Sequence, residues 1–237
     1  MTDRENISFA ENDSNTLFLH KIKYVIFQRK EFDFNPVQVH LMSFTDFEPL
    51  EYIDQLTIDE KERFFGFTNL QRKREFMATR MLRHELFGYQ HIHYDLVGAP
   101  YIENEGYISI SHSKNIVGIA LCKEFKVGLD IEGIQPKIEN IKHKFLAVSE
   151  LTHLECNSMI ELTKIWSGKE TLYKLSGRNG INFRTELELT KNSKENWSGK
   201  IINEDHTLTT ELNIFELENK IVSVNTTPSE KKPNTLY

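Results

Sequence analysis

Apolar and polar positions along this chain follow two different periods. From Val37 to Ser43 (Val-Gln-Val-His-Leu-Met-Ser) they alternate every second residue, which predicts a strand with one face turned to a core. From about Thr57 to Leu86 the spacing becomes helical, with Phe64, Phe65 and Phe67, then Phe76, Met77, Leu82 and Phe87 supplying apolar faces. Thr57 followed by Glu60 three residues later is a capping-box pattern for the start of this region, and Gly88 is its stop. Phe67-Thr68-Asn69 divides it into two helices. Short strands are predicted at Tyr94 to Val97, Tyr101 to Ile102 and Tyr107 to Ile110, separated by the turns Gly98-Ala99-Pro100 and Asn104-Glu105-Gly106.

The second half repeats this order. Ile116 to Cys122 and Lys126 to Ile131 read as strands joined by a turn at Lys123-Glu124-Phe125. Helical spacing returns from about Ile138 to His153 and again from Glu161 to Leu175, where Leu162, Ile165, Trp166, Leu172 and Tyr173 form an apolar face ended by Ser176-Gly177. Strands follow at Glu186 to Leu189, Trp197 to Ile202, Leu208 to Phe215 and Lys220 to Val224. Strand, helix, strands in each half predicts an α+β protein of two similar lobes, 1–113 and 114–225, joined near Ser113 to Asn115. The duplication rests on element order, since no repeat is visible residue by residue. The tail 226–237, with Pro228, Pro233 and several charges, is expected to be disordered.

Composition narrows the class without naming it. The 237 residues, 39% hydrophobic and 27% charged, are enough for a sizeable core. Cys122 and Cys156 are too few for a disulfide framework and are expected to be reduced thiols. Met1 to Asn15 is polar and acidic, unlike a signal peptide, and the apolar stretch Leu17 to Phe27 contains His20, Lys21 and Lys23 and is too short to span a bilayer. The expectation is a soluble cytoplasmic protein. A net charge of −6 argues against non-specific nucleic-acid binding, yet Arg72, Lys73, Arg74, Arg80 and Arg83 cluster with only Glu75 against them. Such a stretch is either a solvated helix face or a site for an anion such as phosphate.

Three segments could carry chemistry. In Val127-Gly128-Leu129-Asp130-Ile131-Glu132 the two acids lie two apart on a strand, so they share a side about 7 Å apart. Acids converging at a buried edge repel unless a cation lies between them, and Mg²⁺ fills that role beside phosphates; a solvent-facing acid pair is the plain alternative. In Trp166-Ser167-Gly168-Lys169-Glu170-Thr171-Leu172-Tyr173-Lys174, Glu170 and Lys174 lie one helical turn apart, which a surface ion pair would also do. In Ile110-Ser111-His112-Ser113 a strand-end histidine between two hydroxyls offers donors to phosphate, or is an ordinary strand-end histidine. A two-metal exonuclease also uses an Asp-x-Glu strand. It needs two further aspartates, and only Asp205 follows Glu132.

Gly-x-Pro, Ile-Ser-His-Ser, Gly-Leu-Asp-Ile-Glu and Trp-Ser-x-Lys-Glu-x-x-x-Lys, in that order, resemble the signature series of the 4′-phosphopantetheinyl transferases. The length and the Arg-rich N-terminal helix are similar to the long, Sfp-type branch, and the likeness covers roughly Asp59 to Arg184. The resemblance implies two similar α+β lobes forming a pseudo-dimer, a monomer with coenzyme A in the cleft between its lobes, and an acyl or peptidyl carrier protein as partner. It implies Mg²⁺ on Asp130, Glu132 and Glu170, with Glu170 as candidate base and Lys174 on the same phosphates. Arg74 and His112 match positions that grip the nucleotide phosphates, Lys61 is a weaker candidate for that task, Lys169 faces phosphate or partner, and Pro100 belongs to the turn at the adenine end. The sequence departs from the family at Ala99, where many members have lysine. Arg80 or Arg83 is the expected substitute, and a relative that binds coenzyme A or a carrier protein without transferring anything is the alternative.

Overall fold

The structure is a computed structural model, and it describes residues 20–22 and 25–234. The polar segment Met1 to Asn15 lies outside the described residues. The architecture is α+β, with two antiparallel sheets and helices.

The first sheet contains β1 (His20–Ile22), β2 (Val25–Asp33), β3 (Gln38–Phe44), β4 (His93–Tyr94), β5 (Pro100–Tyr101), β6 (Tyr107–Ser113) and β7 (Ile116–Cys122), in the order β1-β2-β3-β7-β6-β5-β4. Helices α1 (Ile58–Gly66) and α2 (Leu70–Phe87) cover one face. Both arms of the predicted capping box are present, Thr57 Oγ1 accepting from the Glu60 N–H and Glu60 Oε2 from the Thr57 N–H. Asn69 caps α2, so the Phe67-Thr68-Asn69 break is a stop followed by a new start. Phe64, Met77 and Leu82 from the helices meet Met42, Phe44, Val117 and Ile119 from the sheet.

The second sheet contains β8 (Leu129–Gly133), β9 (Leu187–Lys191), β10 (Asn196–Ile202), β11 (His206–Leu217) and β12 (Lys220–Asn225), in the order β8-β12-β11-β10-β9. A last strand, β13 (Glu230–Pro233), pairs with β11. The tail expected to be disordered therefore runs as an edge strand at least to Pro233, because the exposed flank of the long β11 offers it a ladder. Helices α3 (Lys137–Phe145) and α4 (Val148–His153) lead into α5 (Met159–Ser176). Leu162, Ile165 and Leu172 of α5 pack on Leu189, Trp197, Leu212 and Ile214 of the sheet. Gly177 ends α5 in the left-handed conformation.

The remaining faces of the two sheets pack on each other. Val39, Leu41, Ile116 and Ala120 of the first meet Leu129, Ile131, Val222 and Val224 of the second. This is why β3 and β7 are buried on both sides. At Gly118 a Cβ would lie 2.6 Å from Leu41 and 2.8 Å from Ile131, so the missing side chain is what lets the sheets close here.

The predicted turn between Cys122 and Lys126 is thus a crossing between sheets. The strand Ile116–Cys122, assigned from the sequence to the second lobe, pairs with β3 and β6 in the first sheet. Element order cannot reveal this, because β7 satisfies its hydrogen bonds equally well with either neighbour in sequence. The boundary between the two sheets falls after Cys122, not at Ser113 to Asn115.

Candidate active site at the seam between the sheets

Strand β8 is an edge strand, and its free flank lies against β6. Two serine hydroxyls bridge the gap: Ser109 Oγ accepts from the Leu129 N–H at 2.9 Å, and Ser111 Oγ from the Ile131 N–H at 3.1 Å. Strand parity puts these serines on the side of β8, opposite Ala120 and Gly118 in register. Parity also turns His112 the other way, toward α2.

Asp130, buried at 5% exposure, emerges from β8 at this seam. Its Oδ1 accepts from Ser111 Oγ at 3.2 Å and from Lys174 Nζ at 3.1 Å, while its Oδ2 is buried with no hydrogen-bond partner. Lys174 Nζ also donates to the Leu129 carbonyl at 2.5 Å, tying the last turn of α5 to β8. Glu132, two residues on, accepts from the Trp166 indole N–H at 3.0 Å. The indole is held in turn by Phe183, stacked 5.3 Å away, and by the edge contact with Phe145.

Glu170 on α5 faces the same acids. Burial pushes its carboxyl up to about 7, with the Asp130 and Glu132 charges adding and the Lys174 ammonium opposing. Burial and the Asp130 charge also raise Glu132. Close approach of α5 to β8 is permitted by Gly128, where a Cβ would stand 2.7 Å from the Thr171 carbonyl oxygen. Asp130, Glu132, Glu170 and Lys174, predicted from two distant motifs, are thus brought together.

Three acids that repel one another and a buried carboxylate oxygen without a donor are the chemistry of a hard divalent cation site. Among the described residues no three acid, histidine or cysteine side chains stand close enough to form a ready-made metal cage. The Lys174 ammonium and the Trp166 indole take up part of the acids' hydrogen-bonding capacity, and three acids converge fully only against an opposing charge. The donor set therefore fits Mg²⁺ by kind.

Beside these acids opens a cleft of about 520 Å³. The turn Gly98-Ala99-Pro100 with Tyr107, Ile108 and Ile110 lines one wall, and Lys126, Tyr173, Lys174, Gly177 and Arg178 line the other. Pro100 lies in that first wall.

The other predicted phosphate contacts fare differently. His112 is one-third exposed and pairs with Glu75 at 3.0 Å through Nδ1 and with the Arg72 guanidinium. Burial pushes Glu75 up, but His112, Gln71 and Arg72 outweigh it and hold the carboxyl below its ordinary range. Arg74 is not in this group. Two residues along a helix is a turn of about 200°, and Arg74 instead donates through Nε to the Phe47 carbonyl at 2.7 Å and pairs with Asp46 at 3.1 Å. Arg72, one of the basic residues noted but given no role, is the arginine beside His112.

Lys169 faces neither phosphate nor a partner. It is fully buried, bonded to the carbonyls of Phe145, Phe183 and Leu187 and paired with Glu150 at 2.7 Å. Glu150 is itself locked by the N–H groups of Ala147 and Leu189. The motif lysine thus pins three loops to α5. Lys61 pairs with the exposed Asp54 at 3.7 Å, which gives it another partner but no link to the cleft. Arg80 and Arg83 cannot replace a lysine at Ala99, since both are buried against Glu60, with Arg83 also donating to the Gln90 carbonyl. Sequence spacing could not reveal these partners, all of which come from other elements.

No helix among the described residues is long and apolar enough to cross a membrane. No curated protein matches the chain. Residues 126–224, which carry Asp130, Glu132, Glu170 and Lys174 but neither His112 nor the Gly98-Ala99-Pro100 turn, match the family model of the 4′-phosphopantetheinyl transferase superfamily.

Proposed function

We propose that the protein transfers the 4′-phosphopantetheine group of coenzyme A to a serine of an apo acyl or peptidyl carrier protein, as a monomer of the long branch of the superfamily. The observation that carries this reading is the convergence of Asp130, Glu132 and Glu170 with Lys174, which itself lines a cleft walled by both halves of the chain.

In this reading Asp130, Glu132 and Glu170 would hold Mg²⁺, which would supply charge neutralisation for the pyrophosphate of coenzyme A. Lys174, fixed by the Leu129 carbonyl and Asp130, directs its ammonium toward the same phosphates. The Gly98-Ala99-Pro100 turn and Tyr107 receive the nucleoside, and Arg72 with His112 beside it supplies donors for the nucleotide phosphates. Glu170, on the α5 face turned to Asp130 and Glu132, is the candidate to take the proton of the attacking hydroxyl, directly or through water. The new bond joins the carrier serine Oγ to the β-phosphorus, and the bond from that phosphorus to adenosine 3′,5′-bisphosphate breaks. The carrier's acidic helix is received by Lys137, Lys142 and Lys144 of α3, which form no ion pair among the described residues, beside the exposed Val148 and Leu151.

The test is intact-mass spectrometry of a panel of apo carrier proteins incubated with the protein, Mg²⁺ and coenzyme A. A gain of one phosphopantetheine that disappears with EDTA and in Asp130→Ala and Glu170→Ala supports the reading. Coenzyme A bound without transfer to any carrier would favour a binding-only role. Neither binding nor transfer would overturn both.

A further inference from the structure

The most uneven hydrogen bonding in the molecule is at Asp130. Both donors, Ser111 Oγ and Lys174 Nζ, converge on Oδ1, and Oδ2 is left buried and bare. A carboxylate clamped on one oxygen cannot turn the other away, so the bare oxygen has a fixed direction.

We infer that Ser111, a residue of the first sheet, is a positioning residue that presents Asp130 Oδ2 to the metal; this rests on the metal-dependent reading above. Ser111 suits the task because its hydroxyl is spoken for on both sides. It accepts from the Ile131 N–H at 3.1 Å, which leaves its own hydrogen for Asp130, and at 6% exposure little water competes. Lys174 clamps the same oxygen, but it is a flexible side chain at 28% exposure that also serves the Leu129 carbonyl. Ser109 supplies an internal comparison. It makes the same kind of bond to β8, accepting from the Leu129 N–H at 2.9 Å, and among the described residues it makes no hydrogen bond to Asp130. Groups that orient a metal ligand affect metal affinity far more than their own size suggests, by about 10–100-fold.

The experiment measures Mn²⁺ binding by electron paramagnetic resonance, with coenzyme A present, for the full chain and for Ser111→Ala, Ser111→Cys and Ser109→Ala. Melting temperature is recorded for each. Ser111→Cys keeps the volume while exchanging a strong donor for a weak one, so it serves even where Ser111→Ala folds poorly. The expected result is Mn²⁺ affinity lowered about tenfold or more in both Ser111 variants, and by less than about twofold in Ser109→Ala despite a similar drop in melting temperature. Equal losses at Ser109 and Ser111, or unchanged binding in Ser111→Cys, would overturn the inference. A wild-type chain that binds coenzyme A but no Mn²⁺ would instead overturn the metal-dependent reading and this inference with it.

Discussion

Replacing Glu170 by glutamine should stabilise the metal-free protein at neutral and alkaline pH and have no pH-dependent effect below about pH 4. The carboxyl is pushed from 4.5 to about 7 by burial and by the neighbouring acids. A folded state that holds a proton more tightly than the unfolded chain loses stability as pH rises through the interval between those values. At about 1.4 kcal/mol per pH unit the full interval corresponds to about 3.5 kcal/mol, and sharing of the repulsion with Asp130 and Glu132 brings the expected figure to about 2–3 kcal/mol. For a chain of this size that is a rise in melting temperature of about 4–10 °C at pH 8 in EDTA. The assay is differential scanning calorimetry of both proteins from pH 5 to 8. Comparing the two at each pH cancels the carboxylates held low elsewhere, such as Glu75 and Glu161. Millimolar Mg²⁺ with coenzyme A should close the gap by stabilising the wild type. A difference between the proteins that stays constant with pH, or a wild type that gains on the variant as pH rises, would refute the account of Glu170.

Other perturbations separate chemistry from architecture. Lys169→Met, which strands the buried Glu150, should cost about 3–5 kcal/mol in urea unfolding; a loss below 1 kcal/mol would contradict the anchoring role. Gly128→Ala must push α5 away from β8, so a loss of about 1–3 kcal/mol is expected together with weaker Mn²⁺ binding. Charge reversal of Lys142 and Lys144 to glutamate should raise KM for the carrier protein and leave coenzyme A affinity unchanged; carrier kinetics like those of the wild type would exclude α3 from docking.

Legibility of the chain tracks how local the physics is. The capping box at Thr57 and Glu60, the break at Asn69 and the stop at Gly88 were readable because a helix end is settled by side chains within four residues of it. Asp130, Glu132, Glu170 and Lys174 could be picked out because their types and spacings already restrict the chemistry. What the sequence concealed was each residue's partner from another element. Lys169 and Glu170 are adjacent, yet one anchors loops in the core and the other faces the acids, and only the packing of α4 and β9 decides which. The sequence singled out Arg74, and only the packing of α2 on the first sheet shows that Arg72 is the arginine beside His112. The partnership of β7 was hidden because a strand buried on both faces has no alternation to show which sheet it joins. The tail around Pro233 looked unstructured because its own composition is poor in apolar residues, while its order depends on β11.

The way the sheets meet bears on what can be cut from this protein. Residues 126–224 match the family model, but they lean on the first sheet for part of their core. Excised, they would expose Leu129, Ile131, Val222 and Val224 to water and leave the Leu129 and Ile131 N–H groups of an edge strand without acceptors. An exposed apolar face beside an open strand edge is a template for self-association. The isolated segment should therefore aggregate or pair with a second copy of itself. Its first half is in that sense a covalently attached chaperone, whose removal would be read as insolubility before any loss of chemistry could be measured.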